Sequence, residues 1–263
     1  IGIGAIAAAA RKLGFGAEFE LPLPSQRYGT IPDSAWKMRR YKQEWSQADT
    51  LNAAIGQGYV LVSPFQLALS AARIASGHEL IPSLLAEKRA APRHLDFPEA
   101  HLAIVRSGMD EVVNGRGTAG ASKLRLDGIR MGGKTGTAQV RRIMDRNRGQ
   151  GGEWKYRDHG LFVCFAPVDN PRYAASVVIE HGMGGARAAA PVAKDVLTYL
   201  FDRQQALDTL ARFETEWGGD IRTRMAAKDR AYRAAQGLPA AGRAGGGSSA
   251  PTSPPAPSPA PPS

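Results

Sequence analysis

The stretch Gly132-Gly133-Lys134-Thr135-Gly136-Thr137-Ala138-Gln139 places a cation, two hydroxyl groups and three glycines side by side. Ile129 and Met131 precede it and Val140 follows it, so the apolar pattern predicts an extended strand. Glycines inside a strand suggest that a ligand or another backbone approaches closely. The sequence therefore predicts a strand whose edge receives an anionic ligand with an extended backbone, as in β-augmentation.

The Lys134–Gly136 triplet resembles the Lys-Thr-Gly element of the penicillin-binding protein and serine β-lactamase superfamily. The longer form, which continues through Thr137 to Gln139, is similar to class B penicillin-binding proteins of the penicillin-binding protein 2 type. The resemblance implies that Lys134 supports the proton network of a nucleophilic serine, and that Thr135 and Thr137 bind the terminal carboxylate of the substrate. It also implies that the Thr137 N–H is an oxyanion-hole donor, which typically contributes about a hundred- to a thousandfold in rate. The candidate catalytic residues are therefore Lys134, Thr135, Gly136 and Thr137, and a solvated lysine after a glycine-rich turn is the alternative.

A second motif lies upstream, where Asp49-Thr50 and Ile55-Gly56-Gln57-Gly58 resemble a signature of the same family. Ala48 stands where the family usually has glycine. The two glycines flank a polar amide at a chain reversal, which suits a loop packed beneath a cleft. Ser63-Pro64-Phe65-Gln66 follows at the spacing that the family shows. This second match favours the penicillin-binding proteins over their β-lactamase relatives.

A core helix is predicted directly after this motif. Ser63 suits the N-cap, Pro64 the first helical position and Gly77 the end of the helix. The expected apolar face consists of Leu67, Ala71 and Ile74.

Ser34 and Lys37 match a Ser-x-x-Lys pattern letter for letter, but their surroundings do not fit a catalytic serine helix. A catalytic serine needs a buried helix start, so that the lysine one turn later can take its proton. Asp33 and two arginines surround this pair, and no apolar helical face continues beyond it. In the family, a stretch like Pro32 to Lys37 lies in a loop downstream of the catalytic serine. We therefore do not expect Ser34 to be a nucleophile.

No other segment of the chain offers a Ser-x-x-Lys helix or a Ser-x-Asn element. In the family both elements precede the Lys-Thr-Gly element. The chain also begins, without a methionine, inside a predicted helix that runs from Ile3 to Leu13 and is ended by Gly14. We therefore expect a fragment truncated at the N-terminus, with the nucleophile and a membrane anchor outside these residues, and we do not expect catalysis by this chain alone.

The composition predicts a globular protein with a basic surface. Of the 263 residues 43% are hydrophobic, and the net charge is +10. This charge fits nucleic acid, an anionic membrane surface or a cell-wall polymer as a partner, without choosing among them. Cys164, the single cysteine, lies in an apolar run and is expected to be a small buried hydrophobic residue. The five histidines lack metal-ligand spacing and no phosphate-binding glycine loop is present, so no cofactor is expected.

The remaining pattern predicts an α/β (α+β) fold in which an antiparallel sheet is flanked by helices, as in penicillin-binding proteins and serine β-lactamases. Strands at Leu161–Ala166 and Tyr173–Glu180 are expected to form a three-stranded meander with the Lys134 strand. Helices are expected over 100–113 and after Pro191. Their inward-facing residues are expected to be Leu102, Val105, Met109 and Val112 in the first, and Pro191, Val192, Val196, Tyr199 and Leu200 in the second.

Three segments are predicted along the chain. Residues 1–204 are expected to form the C-terminal portion of a transpeptidase domain, within which 17–50 are irregular and 141–158 form a polar, basic insertion. Residues 205–236 are expected to form an exposed helical extension broken near Gly218. Residues 237–263 are rich in Pro, Ala and Ser and are expected to remain a disordered tail. His181, beside a glycine-rich loop, suits either a strand end or the wall of a cleft.

The resemblance implies a peptidoglycan D,D-transpeptidase that cross-links stem peptides during cell-wall elongation. Expected partners are stem peptides, β-lactams and membrane proteins of the elongation complex, including a SEDS-type glycosyltransferase, but not nucleic acid. The expected location is the periplasmic face of the bacterial inner membrane. A β-lactam sensor, a β-lactamase relative and a basic polyanion-binding protein are the alternatives.

Overall fold

The structure, a computed structural model, describes residues 1–22, 26–85, 91–140 and 153–239. The helices are α1 Ile3–Lys12, α2 Ser34–Tyr41, α3 Gln47–Ala54, α4 Pro64–Ser76, α5 Glu99–Asn114, α6 Ala190–Phe201, α7 Arg203–Glu216 and α8 Ile221–Ala235. The strands are β1 Gly132–Ala138, β2 His159–Ala166 and β3 Tyr173–Ile179. A π-helical turn, Gly185–Ala189, leads directly into α6.

The three strands form an antiparallel sheet in the order β1-β2-β3, as the sequence predicts. Lys134 lies opposite Val163, and Thr137 lies opposite Gly160. The central strand β2 is covered on both faces. Phe162 packs into a cluster with residues of α6, and Phe165 packs with residues of α4 and α5. The predicted α+β fold, a sheet flanked by helices, is confirmed.

Helix α4 has the ends that its sequence predicts. The Ser63 side chain accepts from the Gln66 N–H while the Gln66 side chain accepts from the Ser63 N–H, so both donors are satisfied. Pro64 follows the cap, and Gly77 ends the helix in the left-handed conformation at φ 70°. Residues on several faces of α4 are buried, among them Ser70 and Arg73, because this helix lies inside the domain.

The predicted inward face of α6 is wrong. Val192 and Val196 are 42% and 48% exposed, whereas Ala193 and Leu197 are 1% exposed. Tyr199 and Leu200 are also exposed. Two sides of this helix are apolar, and the side with small residues faces the sheet because alanines let the helix approach the strands closely. Helical periodicity identifies the apolar positions but cannot decide which side is covered.

A smaller error of the same kind occurs in α5. Val105, which the pattern places inward, is 44% exposed, and Val113 is buried at 1%. Leu102 and Met109 are buried as predicted. The predicted face of α5 is rotated by part of a turn from the observed buried face, because the spacing of apolar residues does not reveal the packing partners.

The prediction that residues 17–50 are irregular is wrong, since they contain α2 and the first half of α3. The Asp33 carboxylate accepts from the Trp36 N–H and caps α2, and Ser46 and Asp49 form a reciprocal capping box at α3. Both helices have eight residues and no continuous apolar stripe, so the hydrophobic period gave no signal for them.

By its contacts the chain divides into two units, Ile1–Leu207 and Asp208–Ser263. In the second unit, Gly218 and Gly219 have positive φ angles of 81° and 116° and separate α7 from α8. Trp217 stacks on Phe213 and receives the Arg224 guanidinium over its ring. Residues 240–263 lie outside the described residues, so the predicted tail stays a prediction. None of the helices in the described ranges is long and apolar enough to cross a membrane.

Candidate active site

The candidate site is built on the free edge of β1, which pairs with β2 on one side only in the part of the chain that the structure describes. The Thr137 carbonyl does not point to β2, because it accepts a hydrogen bond from Gln57 Nε2 at 3.0 Å. In an antiparallel pair, the N–H and C=O of a residue point to the same neighbour. The N–H of Thr137 therefore also faces the free edge, as an oxyanion donor must.

Other odd-numbered carbonyls of this segment point the same way. Asn114 Nδ2 donates to Met131 O at 2.9 Å, and Lys134 Nζ donates to Thr135 O at 2.8 Å. The exposed Lys134 ammonium thus lies at the edge of the strand, on the same side as the Thr137 peptide groups. A cation and an outward N–H lie within one short stretch of backbone, which is an arrangement suited to an anion or an oxyanion.

The two candidate hydroxyls are in different environments. The Thr135 hydroxyl lies 2.7 Å from that of Thr118, whereas Thr137 is exposed. Thr118 belongs to the turn after α5, where the Ala119 N–H donates to Val112 O at 2.9 Å. The Lys-Thr-Gly motif gave no indication of this contact. Thr118 therefore orients the Thr135 hydroxyl, whereas the Thr137 side chain faces solvent.

Gly133 of β1 is explained by the protein's own packing. A Cβ on Gly133 would lie 2.4 Å from Phe162 Cζ and 2.8 Å from Val163 O. A Cβ on Gly185, at the start of the π-helical turn, would lie 2.7 Å from Gly136 O. Gly133 thus makes room for a core aromatic ring, and the backbone of Gly136 lies against the turn that precedes α6.

Gln57 lies in the second motif, but the sequence did not predict it as a residue of this site. The Gln57 N–H donates to Asn52 O at 2.9 Å, and the flanking Gly56 and Gly58 adopt φ angles of 73° and 70°. This backbone holds the loop against the end of α3 and directs one amide toward β1. A polar amide between two glycines was the available signal, but nothing in it identified Thr137 as the partner.

A buried ion pair fixes α3, which carries this loop. Lys37 Nζ lies 2.6 Å from the Asp49 carboxylate, and both side chains are largely buried. The hydrogen bond from Lys37, assisted by those from Ser46, lowers the pKa of Asp49 to about 2. Ser34, in contrast, is exposed at the first position of α2. The Lys37 amine is thus engaged with Asp49, which agrees with the prediction that Ser34 and Lys37 are not a catalytic pair.

An aromatic cluster lies at the far end of β1, where Ala138 pairs with His159. The His181 ring centroid is 4.2 Å from that of Trp154 and 4.9 Å from that of His159. The His181 N–H donates to His159 Nδ1 at 2.9 Å, and the His181 backbone has a φ angle of 56°. His181 is therefore a strand-end residue, held in a stack beside the end of the candidate strand.

Two further predictions have different outcomes. Cys164 is fully buried, as predicted, and burial raises the pKa of its thiol to about 12. Most of the basic insertion, residues 141–152, lies outside the described residues. Within the described part of the chain, no group of three or more His, Cys, Asp or Glu is placed to hold a metal ion.

Comparison with known families gives a match over most of the chain. The family model for the penicillin binding protein transpeptidase domain matches residues 1–198. The chain belongs to this family. Among curated members, peptidoglycan D,D-transpeptidase MrdA of Acinetobacter baumannii is 34% identical over 206 residues, covering 72% of this chain and 30% of the relative. The MrdA protein of Haemophilus influenzae is 29% identical over 208 residues, covering 74% and 32%.

Solved transpeptidase structures agree with this membership. Penicillin-binding protein 2 of Helicobacter pylori, in complex with MreC, superposes with a TM-score of 0.67 at 32% identity, covering 77% of this chain and 37% of that one. Penicillin-binding protein 2 of Pseudomonas aeruginosa, in complex with WCK 5153, gives 0.62 at 34% identity, covering 75% and 42%. The chain thus spans about a third of the length of the curated relatives that it matches.

Proposed function

We propose that this chain supplies the Lys-Thr-Gly wall of the active site of a peptidoglycan D,D-transpeptidase of the penicillin-binding protein 2 type. The observation that carries the proposal is the outward orientation of the Thr137 peptide groups beside the Lys134 ammonium. Family membership and the MrdA relatives give the reaction class.

In the proposed reaction, a serine outside these residues attacks the penultimate D-alanine carbonyl of a stem peptide. The Thr137 N–H stabilises the negative charge that develops on the carbonyl oxygen, while Lys134 supports the proton network of the serine. D-Alanine leaves, and an amine of a neighbouring stem peptide then takes the acyl group and restores the serine. The Thr135 and Thr137 hydroxyls hold the terminal carboxylate, and the backbone of Gly136 lies against the turn behind the strand. β-Lactams acylate the same serine.

The proposed setting follows from the relatives. We place the full-length gene product at the periplasmic face of the bacterial inner membrane, with membrane proteins of the elongation complex, including a SEDS-type glycosyltransferase, as partners. The complex of the Helicobacter pylori relative with MreC supports a partner of this kind.

Two measurements on the full-length gene product test the proposal. A fluorescent penicillin is expected to label it covalently, and purified stem-peptide substrates are expected to become cross-linked with release of D-alanine. Labelling without cross-linking would identify a β-lactam sensor instead. Hydrolytic turnover of the penicillin would indicate a β-lactamase. Absence of both labelling and cross-linking would refute the assignment.

A further inference from the structure

The hydrogen bond between Gln57 and the candidate strand joins residues that are 80 positions apart in the chain. We propose that Gln57 is a specificity-determining residue. Its side-chain amide covers the Thr137 carbonyl in the free protein, and ligands that present an N–H to this carbonyl displace it. The inference rests on the proposed function, since it assumes that acyl-donor ligands bind along the free edge of β1.

The surroundings of Gln57 allow its side chain to move while its backbone stays fixed. The backbone is held by bonds from the Gln57 N–H to Asn52 O and from the Gly56 N–H to Ala53 O. A Cβ on Gly58 would lie 3.1 Å from Asn52 Cβ, so the loop also packs closely on α3. The side chain is only half-buried, and its neighbours Gly56 and Gly58 are exposed. A change of side-chain rotamer therefore suffices to release the carbonyl.

The Thr137 carbonyl is an acceptor that a peptide bound along this edge can use. A strand added to an edge lies about 4.8 Å away in the plane of the sheet and exchanges both backbone bonds with alternate residues. Thr137 faces this edge, so a ligand whose carbonyl oxygen takes the Thr137 N–H can also offer its own N–H to Thr137 O. The amide of Gln57, 3.0 Å from that oxygen, takes the place of the N–H that such a ligand would offer.

Displacement of Gln57 makes the cost of binding depend on ligand chemistry. A ligand with a suitably placed amide N–H replaces the bond that Gln57 loses, but it competes with an intramolecular donor. A ligand without this N–H leaves the bond between Gln57 and Thr137 in place, so its binding does not depend on the Gln57 donor. Removing the Gln57 donor is therefore expected to favour amide-bearing ligands selectively, by about two- to tenfold, which corresponds to one net hydrogen bond.

The test compares two β-lactams on the full-length gene product. Benzylpenicillin carries an acylamino N–H, and a carbapenem carries a hydroxyethyl group in its place. We expect Gln57→Ala to raise the second-order acylation rate by benzylpenicillin about two- to tenfold and to leave that of the carbapenem unchanged. Gln57→Leu keeps the bulk but removes the donor, and it is expected to give the same selective rise. Gln47→Ala, at an exposed position of α3, is the matched control.

The outcomes separate the inference from the proposed function. Equal changes for both β-lactams in Gln57→Ala and Gln57→Leu would show that Gln57 only supports the strand, and would overturn the inference. Unchanged rates for both would overturn it as well. If neither β-lactam acylates the wild-type protein, the proposed function itself fails. Melting temperatures of the variants, measured alongside, show whether the fold is retained, and a selective rise in a folded variant supports the inference.

Discussion

Replacing Gly185 by alanine tests whether the π-helical turn is seated directly on the strands of the candidate site. A Cβ at this position would lie 1.9 Å from Leu161 O and 2.7 Å from Gly136 O, although real Cβ atoms essentially never come closer than 3.0 Å to such atoms. The turn would have to withdraw by about 1 Å, since backbone atoms of the sheet cannot move aside as a flexible side chain can. The movement would also disturb Ala189 and Ala190, which are fully buried.

The expected magnitude follows from this geometry. Overpacking typically costs about 1–3 kcal/mol, and a backbone obstacle places Gly185→Ala near the upper end. For a cooperative unit of about 200 residues, about 3 kcal/mol lowers the melting temperature by roughly 6–12 °C, and a larger unit shifts by less. Thermal unfolding of the full-length gene product, followed by circular dichroism, measures this shift.

Gly184 provides a matched control, because it is adjacent, has extended backbone at φ −149°, and a Cβ there would meet nothing within 4 Å. Gly184→Ala is expected to change stability by no more than about 0.5 kcal/mol. If the two variants shift the melting temperature equally, the close packing of Gly185 on the sheet is refuted.

Three further predictions concern charge and the C-terminus. Lys134→Ala is expected to lower the second-order acylation rate of the full-length gene product at least about a hundredfold, with little effect on folding. Lys123→Ala, at an exposed position, is the control for loss of charge alone. Similar small effects of the two substitutions on the acylation rate would contradict the electrostatic role of Lys134. The pKa of Asp49 is lowered from 3.8 to about 2 on folding, so its pairing with Lys37 stabilises the protein fully above pH 4 and is lost as the pH falls toward 2. As the pH falls over this range, the melting temperature should therefore decrease more steeply in the wild type than in Asp49→Asn, because the wild type loses at most about 2 kcal/mol of stability from this pair. Parallel plots of melting temperature against pH would contradict the lowered pKa of Asp49. Removal of residues Gly237–Ser263 is expected to leave the melting temperature unchanged, and a clear decrease would show that the tail docks.

Some features of this protein were determined by the sequence because their signals are local. The ends of α4 follow from Ser63, Pro64 and Gly77, which satisfy or terminate the helix through their own side chains and backbone angles. The central position of β2 follows from its apolar residues on both faces, since a strand covered on one side shows alternation instead. The candidate strand was likewise found from contiguous residues, Lys134 to Thr137.

Other features were decided only by the tertiary structure. Apolar residues occur on both sides of α6, so periodicity cannot decide which side is buried. The buried side is the one on which Ala193 can approach the sheet closely. Helices α2 and α3 are fixed by caps and by the Lys37–Asp49 pair, so hydrophobic periodicity could not reveal them.

The candidate site shows the same division. One stretch of eight residues contains the predicted residues of the site. The orientation of their functional groups, however, depends on side chains from distant positions in the chain. The Thr118 hydroxyl reaches Thr135 across 17 positions, and the Gln57 amide reaches Thr137 across 80. A local pattern specifies which groups a strand carries. Packing of distant loops against the free edge of that strand decides which of those groups are oriented, covered or left open to a ligand.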